Sequence, residues 1–198
     1  MPLTETIFFH KKLYEIIRYY LQHAKAYYTE LGGLLVGIRQ VKHVNVLAAY
    51  FPKQAAATVG FCSFDIATII PLREALTKVN EKLKSSLKII GWIHSHPRGF
   101  SVEMSEIDRR TFMNLIKFEK DLIAIIIEPY SGEIGAYRAY EQELGYSEYL
   151  SHGLFSRGPK VIKLKVKIED FPLEDKIKQE LIVLKSFLKE EISKRGLS

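Results

Sequence analysis

The sequence predicts an α+β (mixed α/β) domain, in which a central, mostly antiparallel sheet is flanked by helices in three layers and a further helix follows at the C-terminus. The chain has 198 residues, of which 47% are hydrophobic and 26% charged, a balance that suits one globular domain with an appended element. Segments with the apolar spacing of helices alternate with short apolar runs of strand length. This alternation places helices and strands in one domain around one sheet.

The first half of the chain predicts the order helix, two strands, helix, strand. Apolar residues recur every three or four positions in the two helical segments, and Pro71 lies in the first turn of the second helix. Apolar runs or alternating valines mark the strands. Residues 51–60 predict a loop or a weak hairpin. The predicted elements cover residues 13–28, 34–38, 41–49, 70–83 and 88–94.

The second half predicts a helix, a hairpin, one more strand and a long helix. The hairpin turns at residues 130–133, and an ordered loop is expected at 145–158. Lysines alternate with apolar residues in the next strand, so we expect it to be half-buried with its lysines in solvent or guarding an edge. Gly196 marks the end of the last helix. These elements cover residues 105–118, 122–128, 134–140, 162–168 and 172–195.

Composition excludes several classes of protein. The one cysteine, Cys62, excludes an internal disulfide and a thiolate-rich zinc site, and it predicts a cytoplasmic location. The apolar runs are too short for a bilayer span or a secretory signal, so no membrane partner is expected. The net charge is +6, but the lysines are spread along the chain, which argues against nucleic acid as the partner.

The clearest chemical signal is the stretch Gly91-Trp92-Ile93-His94-Ser95-His96-Pro97. Side chains two positions apart on a strand point to the same face, so His94 and His96 can aim at one point at the end of the strand. Asp108 follows in the first turn of the next helix. Two imidazoles and one carboxylate form a three-ligand zinc set with an open fourth position, which is typical of catalytic zinc.

Each part of this pattern also has a simpler explanation when it is taken alone. Ser105 and Asp108 could form only a helix capping box, and a histidine at a strand end is commonly a surface residue. Glu30 precedes an apolar, glycine-rich strand and is the candidate base for a hydrolytic zinc site, but it could also be an ordinary exposed glutamate at a helix end. Trp92 is expected in the core of the sheet.

Taken together, these residues resemble the JAMM/MPN+ zinc metalloproteases. The resemblance rests on Glu30 with its glycine-rich strand, on His94-Ser95-His96-Pro97, and on Ser105-x-x-Asp108. It covers roughly residues 5–140 and points to the proteasome-lid branch and its archaeal relatives. It implies an MPN/JAMM-like domain, similar to cytidine deaminases, with one zinc per chain on the counterparts of His94, His96 and Asp108.

The resemblance also implies roles for two further residues. Glu30 would act as general base and proton shuttle, and Ser105 would stabilise the oxyanion of the tetrahedral intermediate. The chain departs from the family pattern at one place, where eight residues separate His96 from Ser105 and the family has seven. Glu103 and Glu106 are nearby carboxylates that could replace Asp108, although the intact Ser105-x-x-Asp108 spacing favours Asp108.

The function implied is that of a zinc isopeptidase, a deubiquitinase-like hydrolase that removes ubiquitin or a ubiquitin-like modifier from lysine. Two alternatives stay open: a non-catalytic scaffold of the same fold in a larger assembly such as the proteasome, and a nucleic-acid-associated relative. Residues 1–158 are expected to form the metalloprotease domain. Residues 159–198 are expected to pack on that domain or on a partner, and a homodimer through the last helix is one outcome. Residues 51–60 and 146–158 are the candidate loops that flank the cleft.

Overall fold

The computed structural model describes residues 5–23, 29–58, 60–63, 67, 69–119, 121–140 and 160–196. The strands are β1 (Thr6–His10), β2 (Gly32–Arg39), β3 (His43–Tyr50), β4 (Ala56–Thr58), β5 (Phe61–Ser63), β6 (Lys88–Ser95), β7 (Ile123–Glu128), β8 (Glu133–Tyr140), β9 (Lys160–Lys163) and β10 (Lys165–Glu169). The helices are α1 (Lys11–His23), α2 (Ile70–Leu83), α3 (Glu106–Phe118) and α4 (Asp175–Lys194).

Eight of the described strands form one mixed sheet, in the order β10-β1-β3-β2-β6-β7-β8-β9. Of its seven strand pairs, four are antiparallel, and the three that join β1 to β10, β1 to β3 and β6 to β7 are parallel. The two remaining strands, β4 and β5, form a separate antiparallel hairpin. The sheet is therefore mixed, with a smaller antiparallel majority than the sequence predicted.

One segment of chain completes both edges of this sheet. Strand β9 pairs with β8 at one edge, and β10 pairs with β1 at the other, yet only Leu164 lies between them. The Leu164 N–H donates to the carbonyl of Ala136, 2.8 Å away. Because Leu164 joins the two edge strands directly, the sheet must curl until its two edges lie next to each other.

Helices cover both faces of the curled sheet, which gives the three predicted layers. Helix α1 lies on the concave side and buries Tyr14, Ile17 and Leu21 among the isoleucines and valines of β1, β3, β6 and β7. Helices α2 and α4 pack together on the convex side over β2 and β3. Helix α3 covers β6, β7 and β8 with Phe112 at its centre. The described helices are too short or too polar to cross a bilayer.

The structure confirms the predicted fold class and most of the elements. Two predictions are wrong. Strand β1 was not expected, and the single strand predicted at 162–168 is divided at Leu164 between two edges of the sheet. The lysines at 163, 165 and 167 are exposed, as expected. The predicted end of the first helix at 24–28 and the loop at 145–158 lie outside the described residues.

The pairing of β2 with β3 leaves no room for a side chain at Gly37. A Cβ atom there would lie 1.9 Å from the Asn45 carbonyl oxygen and 2.7 Å from the Ile90 side chain. We expect Gly37→Ala to lower the free energy of unfolding by about 3 kcal/mol, because the strands must separate to accept it. Gly60→Ala is the matched control, since nothing lies within 4 Å of its added Cβ. Denaturant unfolding measures both, and equal midpoints would contradict the close approach.

Candidate metal centre

The end of β6 presents two imidazole rings on one face of the sheet. Trp92, His94 and His96 are two positions apart and all three are buried. The Trp92 and His94 rings stack, with centroids 4.2 Å apart and planes 18° from parallel. The sheet thus holds both histidines with their Nε2 atoms 3.3 Å from each other.

Helix α3 carries the third group, the Asp108 carboxylate, back to these rings. Ser105 is the N-cap of the helix, and its hydroxyl accepts the Asp108 N–H at 3.1 Å. In return, the Asp108 carboxylate accepts the Ser105 N–H at 2.8 Å. This capping box fixes the carboxylate at the first turn of the helix, where the N-terminus stabilises its charge.

Strand β2 brings Glu30 to the same place from a distant part of the sequence. Gly32 pairs with His94 in the antiparallel ladder of β2 and β6. Beyond this pair, the Leu31 N–H donates to the Ser95 hydroxyl at 3.0 Å, and the Ser95 N–H donates to the Leu31 carbonyl at 2.9 Å. The buried Glu30 carboxylate then lies 3.9 Å from His96 Nε2.

The donor atoms lie close enough together to share one metal ion. His94 Nε2 lies 3.1 Å from Asp108 Oδ1, His96 Nε2 lies 3.4 Å from Asp108 Oδ2, and the two nitrogens are 3.3 Å apart. Zinc binds such atoms at about 2.0–2.1 Å, which puts the corners of a tetrahedron about 3.3 Å apart. These three residues could therefore hold a metal ion, and among the described residues they form the one such group of three.

A hydrogen bond determines which nitrogen of His96 faces the centre. His96 Nδ1 lies 2.5 Å from the Ser101 carbonyl oxygen, which can only accept. Nδ1 therefore carries a proton, and when the ring is neutral Nε2 keeps its lone pair for a metal. Burial lowers the pKa of His96, but hydrogen bonds with Asp108 and Ser101 outweigh this and raise it. His94 differs, because its Nδ1 is buried with no hydrogen-bond partner in the described part of the chain. Stacking on Trp92 orients that ring instead.

Burial and neighbouring charges shift the pKa values in the centre. Burial, then the charge of Asp108, raises the pKa of Glu30 to about 7, while His96 lowers it. Burial lowers the pKa of His94, which keeps it in the neutral form that metals bind. Burial also raises the pKa of Asp108, but hydrogen bonds with the two histidines and Ser105 outweigh this and hold it well below its ordinary value.

Cys62 on β5 is buried near this centre but does not join it. Burial, then the negative charges of Glu30 and Asp108, raises the pKa of its thiol. The thiolate is the form that binds metals, so the neutral thiol is a poor ligand.

The structure brings together the predicted ligands His94, His96 and Asp108 and places Glu30 and Ser105 beside them. The alternative carboxylates point elsewhere. Glu103 binds Lys163 at 2.5 Å and Glu106 pairs with arginines on its own helix.

Sequence reasoning missed three supporting groups: the Ser95 hydroxyl, the Ser101 carbonyl and Tyr137, which binds the loop before α3. The His-Ser-His motif itself could have indicated Ser95. Every residue has a backbone carbonyl, so the sequence cannot indicate that the carbonyl of Ser101 is used. A tyrosine in a strand does not by itself indicate that it contacts a distant loop.

The chain is similar to known proteins over most of its length. The family described as prokaryotic homologs of the JAB domain matches residues 10–140. COP9 signalosome complex subunit 5 of Caenorhabditis elegans is 35% identical over 118 residues, which cover 53% of this chain and 28% of that protein. The same subunit of Oryza sativa subsp. japonica is 29% identical over 129 residues, which cover 61% of this chain and 35% of that protein. The chain spans about a third of the length of these curated relatives.

A solved structure shows the same fold. The solution structure of a protein from Desulfitobacterium hafniense superimposes with a TM-score of 0.56 at 21% sequence identity. The match covers 86% of this chain and 97% of that protein, so it extends over most of the domain. At this identity the similarity concerns the fold alone.

We expect protein purified without added metal to carry about one zinc per chain, because two histidines and one aspartate, a common zinc ligand set, converge on one point. His96→Ala removes one donor and should abolish most of this binding. Glu106→Gln is the matched control, since that carboxylate lies two residues from Asp108 and faces solvent. Elemental analysis beside protein concentration gives the ratio. Equal zinc in wild type and His96→Ala would remove His96 from the ligand set.

Proposed function

Since this chain belongs to the family of prokaryotic JAB-domain homologs, we propose that it is a zinc-dependent isopeptidase. The substrate would be ubiquitin or a ubiquitin-like modifier, joined through its C-terminal glycine to a lysine of a target protein. One observation carries the proposal: three buried donors converge beside a fourth buried group, Glu30, that is close to them but separate from them. A scaffold would not require such a glutamate.

In this proposal His94, His96 and Asp108 hold the zinc ion. When bound, zinc would lower the pKa of a water molecule toward about 7 and polarise the carbonyl of the isopeptide bond. The three protein donors leave the fourth position open, as in catalytic rather than structural sites. Burial of all three donors lowers the local dielectric, which strengthens each electrostatic contact.

Glu30 moves the proton. Its carboxylate takes up the proton of the attacking water and returns it to the departing lysine amine, so the C–N bond breaks without a charged leaving group. The backbone holds this side chain in place on two sides, because the Glu30 N–H donates to the Thr58 carbonyl at 2.8 Å and Leu31 is tied to Ser95. Glu30 is therefore positioned by the β4–β5 hairpin as well as by β6.

Ser105 has two tasks in this proposal. Its hydroxyl oxygen accepts the Asp108 N–H, which keeps the ligand in place. A hydroxyl that accepts a hydrogen bond retains its own hydrogen for another partner. That hydrogen can be donated to the substrate carbonyl oxygen, where negative charge develops during attack.

The partners proposed are conjugates of ubiquitin or a ubiquitin-like protein. The name of the curated relatives, a subunit of the COP9 signalosome complex, supports a role within a larger assembly. Five expectations from the sequence stay predictions. They are a proteasome partner, a relationship to archaeal proteins, a cytoplasmic location, a homodimer through α4 and the domain division at residue 158.

The proposal is tested with a lysine peptide that carries a Gly-Gly-ended modifier on its ε-amine. We expect zinc-loaded protein to release free modifier with an intact C-terminal glycine, and a chelator to stop the release. Added zinc should restore it. Zinc-loaded protein that releases nothing from ubiquitin and ubiquitin-like conjugates would favour the non-catalytic scaffold.

We expect Glu30→Gln to keep its zinc but to lower turnover by about 10²–10⁴-fold, because the amide cannot accept the proton. Turnover of the conjugate and zinc content are measured on the same preparation. Glu106→Gln serves again as the control and should retain both. Near-normal turnover in Glu30→Gln would exclude Glu30 as the base.

Ser105→Ala should lower turnover by about 10²–10³-fold, the effect of losing one donor to a developing oxyanion. It should also destabilise the protein by about 1 kcal/mol, because the helix loses its cap. Turnover at saturating substrate is expressed per folded chain, so the loss of stability does not contribute to the measured difference in rate. An unchanged rate with reduced stability would leave Ser105 as a helix cap alone.

A further inference from the structure

The loop between His96 and α3 follows a defined path. Its first four residues form a turn, in which the Phe100 N–H donates to the Pro97 carbonyl at 3.1 Å. Gly99 is the third residue of this turn and has a φ of +83°, which side chains other than glycine rarely adopt. The chain then passes Ser101, whose carbonyl binds His96, and reaches Val102.

Val102 is the anchor of the loop. Its side chain is buried in the cluster formed by Trp92, Phe112 and the strands beneath α3. Its carbonyl oxygen accepts a hydrogen bond of 2.8 Å from the hydroxyl of Tyr137, which is 4% exposed. Gly135 makes this approach feasible, because a Cβ atom at that position would lie 2.6 Å from the same oxygen.

A second contact of Tyr137 is weaker. Its hydroxyl also lies 3.2 Å from the Glu103 carboxylate, which is in turn bound by Lys163. A hydroxyl has one hydrogen to donate, and the Val102 carbonyl is both nearer and buried. Glu103 and Lys163 are exposed, so their ion pair contributes little to holding the loop. The tether therefore depends on Tyr137 and Val102.

We propose that Tyr137 is a positioning residue for His96. By holding the Val102 carbonyl, it keeps the adjacent Ser101 carbonyl on His96 Nδ1, and thereby keeps Nε2 as the nitrogen that faces the metal centre. Groups that orient metal-bound histidines in this way affect metal affinity directly. This inference rests on the metal site of the proposed function. It means that a residue of β8, about 40 positions after His96, helps to set the orientation of a metal ligand.

The test compares two deletions of a buried tyrosine hydroxyl. Tyr137→Phe removes the tether, whereas Tyr14→Phe removes a hydroxyl that donates to the Gly132 carbonyl at 2.6 Å and does not touch the centre. Both tyrosines are buried and each loses a bond to a backbone carbonyl, and Tyr137→Phe also loses the contacts of its hydroxyl with Glu103 and the Met104 backbone. Thermal unfolding of both metal-free proteins measures the general loss of stability in each.

We expect Tyr137→Phe to weaken zinc binding by about 10-fold in competition with a chromophoric chelator, and Tyr14→Phe to leave it unchanged. The absorption spectrum of the cobalt-substituted protein should change in Tyr137→Phe alone, because it reports ligand geometry. Gly135→Ala, which pushes against the same carbonyl, should act in the same direction as Tyr137→Phe.

Two outcomes would overturn the inference and they are distinguishable. In the first outcome, Tyr137→Phe leaves the zinc affinity and the cobalt spectrum unchanged, or Tyr14→Phe changes them equally. Tyr137 would then have only a structural role, and the proposed metal site would be unaffected. A wild-type chain that binds no zinc or cobalt would overturn this inference together with the proposed function. Loss of isopeptidase activity alone is not a readout here, so a failed choice of substrate does not affect the result.

Discussion

The antiparallel pairing of β2 with β6 is the constraint on which the candidate centre depends. It places Glu30 next to histidines that follow it by more than sixty residues. Side chains on a strand alternate between faces, so a slip of one residue would turn His94 and His96 away from the centre. The reciprocal bonds between Leu31 and Ser95 hold the register at the end where the chemistry would occur. The same slip would turn Trp92 and Ile93 to the wrong faces of the sheet, so the core and the centre depend on one register.

The position of the centre follows from the parallel pair β6 and β7. Strand β6 leads through a loop and α3 to β7, so the loop lies at the carboxyl end of a parallel strand and the N-terminus of a helix faces it. Sites in α/β sheets form at such ends, because loop, strand and helix terminus meet there. The end of the strand supplies two imidazole donors and the helix terminus supplies the carboxylate. The other face of the sheet packs against α1.

The sequence predicted what is encoded locally and missed what depends on distant pairing. The histidines, Asp108 and its cap lie within fifteen residues, and their spacing alone indicates a shared site. Glu30 was a candidate base from its place before the glycine-rich strand, but the local sequence did not separate it from an ordinary helix-end glutamate, since its approach to His96 depends on sheet order. Strand β1 carries the β-forming residues Thr6, Ile7, Phe8 and Phe9, but it is only five residues long and its parallel partners lie far along the chain, so the local pattern did not reveal its place in the sheet. The break at Leu164 likewise arises only because the sheet closes, and Tyr137 is an ordinary strand residue until the loop lies on it.

The three donors are held by three different interactions, and this explains how the longer loop is accommodated. His94 is oriented by stacking on Trp92, Asp108 by its capping box, and His96 by a carbonyl of the loop itself. The Gly99 turn lies between His96 and Ser101, ahead of the contacts of Ser101, Val102 and Ser105 that orient the ligands. An added residue in that turn changes the path of the chain in solvent but not the positions of Ser101, Val102 or Ser105. Loop length is therefore free to vary before Ser101, whereas from Ser101 to Asp108 any insertion would shift a carbonyl, an anchor or a cap that orients a ligand.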